Sequence, residues 1–284
     1  MTVNNYKNIF LNQLPLFYDE TERLNLFYLV MEFVLNYSKV DVVLNGNESV
    51  LMKNQSKIDA VIKRLQNNEP IQYITQQANF YGYDFKVSPA TLIPRPETEE
   101  LVEWILTEMN KQPTKKWRVL DIGTGTGCIP ITIKKEFPLA TVSAIDVSVN
   151  ALKIANENAV NLQAEVTFIE QDILCTKQLD TYDIIVSNPP YVRNLEKVEI
   201  NQNVLQHEPH LALFVDDNDP LIFYRKISQL ANKCLDDSGF LFFEINQYLG
   251  NEMKQMVSEY FKSIELKKDF IENNRMLKAS LKIK

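Results

Sequence analysis

Glycine is scarce in this chain. There are seven in 284 residues, and three of them fall between Asp121 and Gly127. Cysteine is scarcer still, with three residues, Cys128, Cys175 and Cys234, far apart and without a Cys-x-x-Cys pair. That spacing argues against a disulfide framework or a zinc site and fits a reducing compartment. The two histidines, His207 and His210, are separated by Glu208-Pro209, and the proline blocks their presentation on one helix face, so no metal is expected. Basic residues are not in excess: 30 Lys and Arg stand against 37 Asp and Glu, a formal net charge of −7. A large phosphate-tracking surface is therefore not expected. The longest apolar run, Leu26 to Leu35, is broken by Glu32 and is far too short to span a bilayer. The first residues lack a basic segment followed by an apolar one, so no leader is expected and a cytoplasmic location follows.

What is present organises into two textures. Residues 1–78 read as a small helical domain. Leu24, Phe27, Tyr28, Met31, Val34 and Leu35 recur at close to helical spacing, as do Leu51, Ile58, Val61, Ile62 and Leu65. No cluster there suggests catalysis; holding a partner is the expected role. Residues 79–95 form an aromatic hairpin or linker, with Pro89, Pro94 and Pro96 forcing an extended path. Pro96 with Glu97, Glu99 and Glu100 suits the first turn of a helix, whose buried face is Leu101, Val102, Ile105, Leu106 and Met109.

Across residues 96–284, strands and helices alternate. Strands are expected at 118–122, 141–145, 166–169, 182–186, 240–245, 263–266 and 276–283, with helices near 220–235 and 251–261 among the others. The fold class is α/β: a doubly wound, mostly parallel sheet of seven strands whose last hairpin is antiparallel, behind the helical domain.

Ligands in such sheets bind at the carboxyl ends of the strands. Gly123-Thr124-Gly125-Thr126-Gly127, Asp146, Asp172 and Asn188 all fall at such ends. Glycine lets backbone approach a ligand, the helix after the turn offers free N–H groups, and Asp146 can take ribose hydroxyls. A nicotinamide dinucleotide would require a third glycine at position 128, where Cys128 stands. Ser187-Asn188-Pro189-Pro190-Tyr191 reads as a stiff turn offering oxygens to a planar –NH2 group. The Asn188 side-chain oxygen and the Pro189 carbonyl can accept its two hydrogens, with the Tyr191 ring packed against the plane. Such bonds stabilise the positive charge that develops on the nitrogen as it attacks an electrophile, without a strong base.

Val-Leu-Asp followed by Gly-x-Gly-x-Gly is similar to motif I of class I S-adenosylmethionine methyltransferases, and Asn-Pro-Pro-Tyr resembles the turn of amino-methyltransferases. Five stretches occur in order: Phe80 to Gly82, Pro94 to Glu99, Asp121 to Gly127, Ser187 to Tyr191 and Glu208 to Leu213. Together they resemble the bacterial peptide chain release factor glutamine methyltransferases, from about residue 70 to the end. The resemblance implies S-adenosylmethionine as cofactor, held by Gly123 to Gly127 and Asp146, with Asp172 and Ile173 facing its adenine. Asn188 would meet both cofactor and substrate; Pro189, Pro190 and Tyr191 would form the glutamine slot; Arg95 and Pro96 would line the entrance. The acceptor it implies is the glutamine amide of the Gly-Gly-Gln motif in release factors, and a monomer without stable nucleic-acid or membrane partners is expected. Cys128 and Ile173 depart from the family's usual residues.

Two other readings compete. A nucleic-acid amino-methyltransferase would use the same slot for an adenine or guanine exocyclic amine. A cofactor-binding regulator would have no use for an acceptor clamp. Glu244 could face the site or serve packing. Asp216, Asp217 and Asp219 read as a solvated loop and helix cap.

Overall fold

The computed structural model describes residues 1–283. The chain divides into two compact units, residues 1–76 with 201–207, and residues 77–200 with 208–284.

The first unit is helical. Thr2 and Asn5 cap α1 (Val3–Gln13) reciprocally, and the Asp19 carboxylate caps α2 (Glu20–Leu35) by accepting the Glu22 N–H at 2.8 Å. Helices α3 (Lys39–Leu44), α4 (Met52–Gln66) and α5 (Ile71–Thr75) follow. Helix α4 buries Ile58, Val61, Ile62 and Leu65 as their spacing predicts, but Leu51 lies outside it at the cap and is exposed. Helix α2 buries Leu26, Phe27, Val30 and Met31, leaving Leu24, Tyr28, Val34 and Leu35 only partly covered. Apolar residues ring α2 almost completely, so neighbours α1, α3 and α4 rather than periodicity choose the buried face.

In the second unit a hairpin, β1 (Gln77–Phe80) with β2 (Tyr83–Lys86), precedes α6 (Pro96–Asn110). Pro96 occupies the first helical turn, where its missing N–H costs nothing. The series continues with β3 (Arg118–Ile122), α7 (Cys128–Glu136), β4 (Thr141–Asp146), α8 (Val149–Asn161), β5 (Val166–Glu170) and β6 (Tyr182–Ser187). A two-stranded pair of β7 (Val192–Arg193) and β8 (Phe214–Val215) brackets a 3-10 turn, α9 (Gln202–His207, part of the first unit) and α10 (His210–Leu213). Then come α11 (Ile222–Cys234), β9 (Leu235–Glu244), α12 (Gly250–Val257), β10 (Phe261–Lys268) and β11 (Asn274–Lys282).

The seven-stranded sheet runs β10-β11-β9-β6-β3-β4-β5, with β11 antiparallel to both its neighbours. Successive residues alternate between its two faces. Val119, Ile184, Val186 and Phe242 join α6 and α7 on one side, while Leu120, Ile122, Ile185, Leu241 and Phe243 join α11 and α12 on the other. The expected face of α6 is buried in full. Strand β9 begins five residues before the expected position 240. Leu235 pairs with Tyr182 and Phe240 with Ile184, while Asp236-Asp237-Ser238, loop-like in sequence, bulges out between them, and a Cβ on Gly239 would stand 2.8 Å from the Asp183 carbonyl oxygen. Chain order reverses between β3 and β6, so the strands diverge there and leave a crevice at their carboxyl ends.

Candidate active site

Register places the site. Ile122 pairs with Ile145 on one side and Ser187 on the other, and Ser187 pairs with Phe243. The residues that follow these in chain order, Gly123, Asp146, Asn188 and Glu244, therefore stand in one row across four strands. Above the row lies a cavity of about 300 Å³, at the small end of ligand sites. Its walls include Arg95, Gly123 to Thr126, Asp146, Asp172, Ile173, Asn188, Pro189 and Pro190. Pro96, Gly127 and Tyr191 stand outside this lining.

The glycine turn is held from below by Asp146, whose carboxylate accepts the Gly125 N–H at 2.9 Å and the Ser148 N–H at 2.9 Å. Each oxygen keeps a second lone pair for a ligand. Gly123 and Gly125 take φ of +77° and +55°, and a Cβ on either would meet nothing within 4 Å. Both residues are thus bare backbone beside open space. Gly127 has φ +80°, but there a Cβ would stand 2.9 Å from Ile131 Cδ1 and 3.1 Å from the Ala155 Cβ. Its role is close packing of α7 on α8. Asn158 is the hub that sequence reading missed: fully buried on α8, it donates to the carbonyls of Lys86 and Thr126 and accepts the Lys86 N–H at 2.7 Å.

Asp121 is fully buried, and neither carboxylate oxygen has a hydrogen-bond partner among the described residues. Burial pushes its carboxyl up to about 7, opposed by the nearby Thr124 hydroxyl and reinforced by the Asp146 charge. An orphan of this kind beneath a glycine turn, with open backbone and a carboxylate at the next strand end, fits a ligand carrying cationic and hydroxyl groups. Burial pushes the Cys128 thiol up to about 12, so it is a packed wall residue and not a nucleophile.

At the opposite wall, the Ser187 hydroxyl donates to the Ile122 carbonyl at 2.7 Å and ties the two turns together. The Asn188 amide donates from Nδ2 to the Thr98 hydroxyl at 3.3 Å, which donates to Glu244 Oε2 at 2.6 Å. The Tyr191 hydroxyl donates to Glu244 Oε1 at 2.9 Å. Glu244 is fully buried, and burial raises its carboxyl above the usual range against those two hydrogen bonds and the nearby Arg275 charge. The Tyr191 ring packs against the α11–α12 side of the core, with its hydroxyl tethered to Glu244. That tether braces the turn. Asn246 does likewise, donating to the Tyr191 carbonyl at 2.9 Å and to Glu196 at 2.8 Å.

The rim joins two of the sequence stretches. Buried Glu208 accepts the Ile93 N–H at 3.1 Å and pairs with the Arg95 guanidinium at 2.5 Å. Arg95 thus sits on the wall, while Pro96 serves the start of α6. Asp172 accepts the Leu174 N–H at 2.8 Å; a hydrogen bond from Cys175 and that backbone contact hold its carboxyl below the usual range. Asp219 pairs with Arg225, Asp216 accepts the Asn218 N–H in its own turn, and Asp217 accepts the Leu195 N–H at 3.2 Å. Among the described residues no group of three or more His, Cys, Asp or Glu could hold a metal ion, and no helix is long and apolar enough to cross a membrane.

Comparison with known proteins agrees with this geometry. Residues 100–212 match the family described as Methyltransferase small domain, and residues 12–75 match the PrmC N-terminal domain. A Methyltransferase from Pyrococcus furiosus superposes with TM-score 0.53 at 18% identity, covering 82% of this chain and 100% of its own, a likeness of fold alone. The release factor glutamine methyltransferase of Flavobacterium psychrophilum is 49% identical over 99% of this chain and 100% of its own length. That of Bacteroides thetaiotaomicron is 45% identical over 87% and 88%. With two turns that meet at one cavity and relatives this similar end to end, the chain belongs to the release factor glutamine methyltransferase family.

Proposed function

We propose that this chain transfers the methyl group of S-adenosylmethionine to the side-chain amide nitrogen of the glutamine in the Gly-Gly-Gln motif of peptide chain release factors. The observation that carries the reading is the pairing of Ile122 with Ser187, which sets the glycine turn and Asn188 side by side on one cavity. When bound, S-adenosylmethionine supplies an electrophilic methyl group. Gly123 to Thr126 and Asp146 would hold it, with Asp172 and Ile173 at the adenine end. Asn188 Oδ1 and the Pro189 carbonyl would accept the two amide hydrogens, orient the nitrogen, and stabilise its developing positive charge. Pro190 and Tyr191 would shape the slot, and Arg95 and Pro96 its entrance. The helical residues 1–78 would meet the protein substrate. The enzyme would act as a monomer in the cytoplasm, without a stable nucleic-acid partner.

The test is transfer of radiolabel from S-adenosylmethionine to purified release factor or to nucleic acid. Label is expected in the release factor, and Asn188→Ala is expected to abolish it with cofactor affinity largely kept. Label in nucleic acid alone would overturn the reading.

A further inference from the structure

The geometry points to Thr98 and Glu244 as positioning residues for the acceptor: through a directed hydrogen-bond relay they fix which end of the Asn188 amide faces the substrate. The inference rests on the proposed acceptor being a planar –NH2 group, and it concerns residues that lie outside both turns.

An asparagine amide has an oxygen end and an NH2 end of nearly equal size. Only the oxygen end can accept a hydrogen from an acceptor nitrogen; the other end would set donor against donor. Selection between them must come from a neighbour. The Thr98 hydroxyl has one hydrogen. It lies 2.6 Å from Glu244 Oε2, so that hydrogen is committed to the carboxylate. Toward Asn188, at 3.3 Å, the same hydroxyl can then only accept. The Asn188 Nδ2 must turn to Thr98, which leaves Oδ1 without a partner among the described residues and directed to the remaining side.

Glu244 is a suitable origin for the relay because it is held on all sides. Its second oxygen takes the Tyr191 hydroxyl, its own carbonyl takes the Tyr224 hydroxyl at 3.0 Å, and the Arg275 charge lies nearby. Its place at the end of β9, one residue past Phe243, which pairs with Ser187, brings it to the row of the two turns. Thr98 comes from the first turn of α6, which the stretch Pro94 to Glu99 places over the strand ends. Both groups are buried, so water does not compete for these hydrogens.

The proteins to compare are wild type, Thr98→Val, Thr98→Ser and Glu244→Gln, each checked for cofactor affinity and thermal unfolding. The wild-type rate on release factor and on nucleic acid is measured first, since that tests the proposed function. The variants are then compared on whichever acceptor is methylated. Thr98→Val is expected to lower kcat roughly 10- to 100-fold, as a misaligned acceptor does. Its KM for the acceptor and its Kd for cofactor should stay within about twofold, and Thr98→Ser should restore most of the rate. Adding Glu244→Gln to Thr98→Val should cost much less than Glu244→Gln costs alone, because both act through Asn188. Should the valine variant fail to fold, Thr98→Ala carries the same prediction. A near-wild-type kcat in the folded valine or alanine variant, equal losses in Thr98→Val and Thr98→Ser, or strict additivity with Glu244→Gln would overturn the relay.

Discussion

Asp121 shows what one residue does at this site. Its carboxyl is raised to about 7 by burial, so the native protein keeps that proton at pH values where the unfolded chain has lost it. Between roughly pH 4 and 7 the native state binds more protons, and ligand-free stability therefore falls as pH rises through that window. Asp121→Asn removes the titration. The melting temperature of the ligand-free variant should gain on wild type as pH goes from 5 to 8; a parallel pH dependence in the two proteins would sink the argument. Sequence reading placed Asp121 at the end of a strand but could not see that its carboxylate is left without a protein partner, since that depends on what α7 and the turn bury around it.

At the scale of the element, the three turn glycines look alike in sequence and do different work. Gly123 needs its positive φ and open space; Gly127 needs its positive φ and a bare Cα against α8. Gly123→Ala should cost the ligand-free protein roughly 1–2 kcal/mol for the left-handed conformation. Gly127→Ala should cost roughly 1–3 kcal/mol more, because Ile131 and Ala155 must move. Urea unfolding of the two variants should separate their midpoints, with Gly127→Ala the lower; coincident midpoints would refute the distinction. Periodicity found α4, α6 and the central strands because an amphipathic or fully buried pattern is written locally. It did not single out the buried face of α2, where several neighbours compete, and it missed the pairing of Leu235 with Tyr182 ahead of the Asp-Asp-Ser bulge in β9.

For the whole molecule the net charge of −7 bears on partners. A protein that must neutralise many phosphates shows steep salt dependence, and this chain has no surplus of cations to supply it. Filter binding with an rRNA fragment at about 150 mM salt is expected to show no retention. Tight binding that falls steeply as salt rises would instead favour a nucleic-acid acceptor. The two compact units also show how far sequence order misleads. Residues 201–207 cluster with the first unit, where His207 Nε2 lies 3.2 Å from the Asn67 carbonyl oxygen, although some 125 residues of the second unit precede them.

By itself the sequence determined the α/β alternation, the two turns and the chemistry they can offer, because glycine, proline and asparagine act through their own backbone and side-chain geometry. Tertiary structure decided the rest. Only the sheet register sets Asn188 beside the glycine turn, and only the folding of α6 over the strand ends brings Thr98 to Glu244 across 146 positions of chain. Contacts of that kind depend on burial and alignment between distant segments, and no local pattern of residues encodes them.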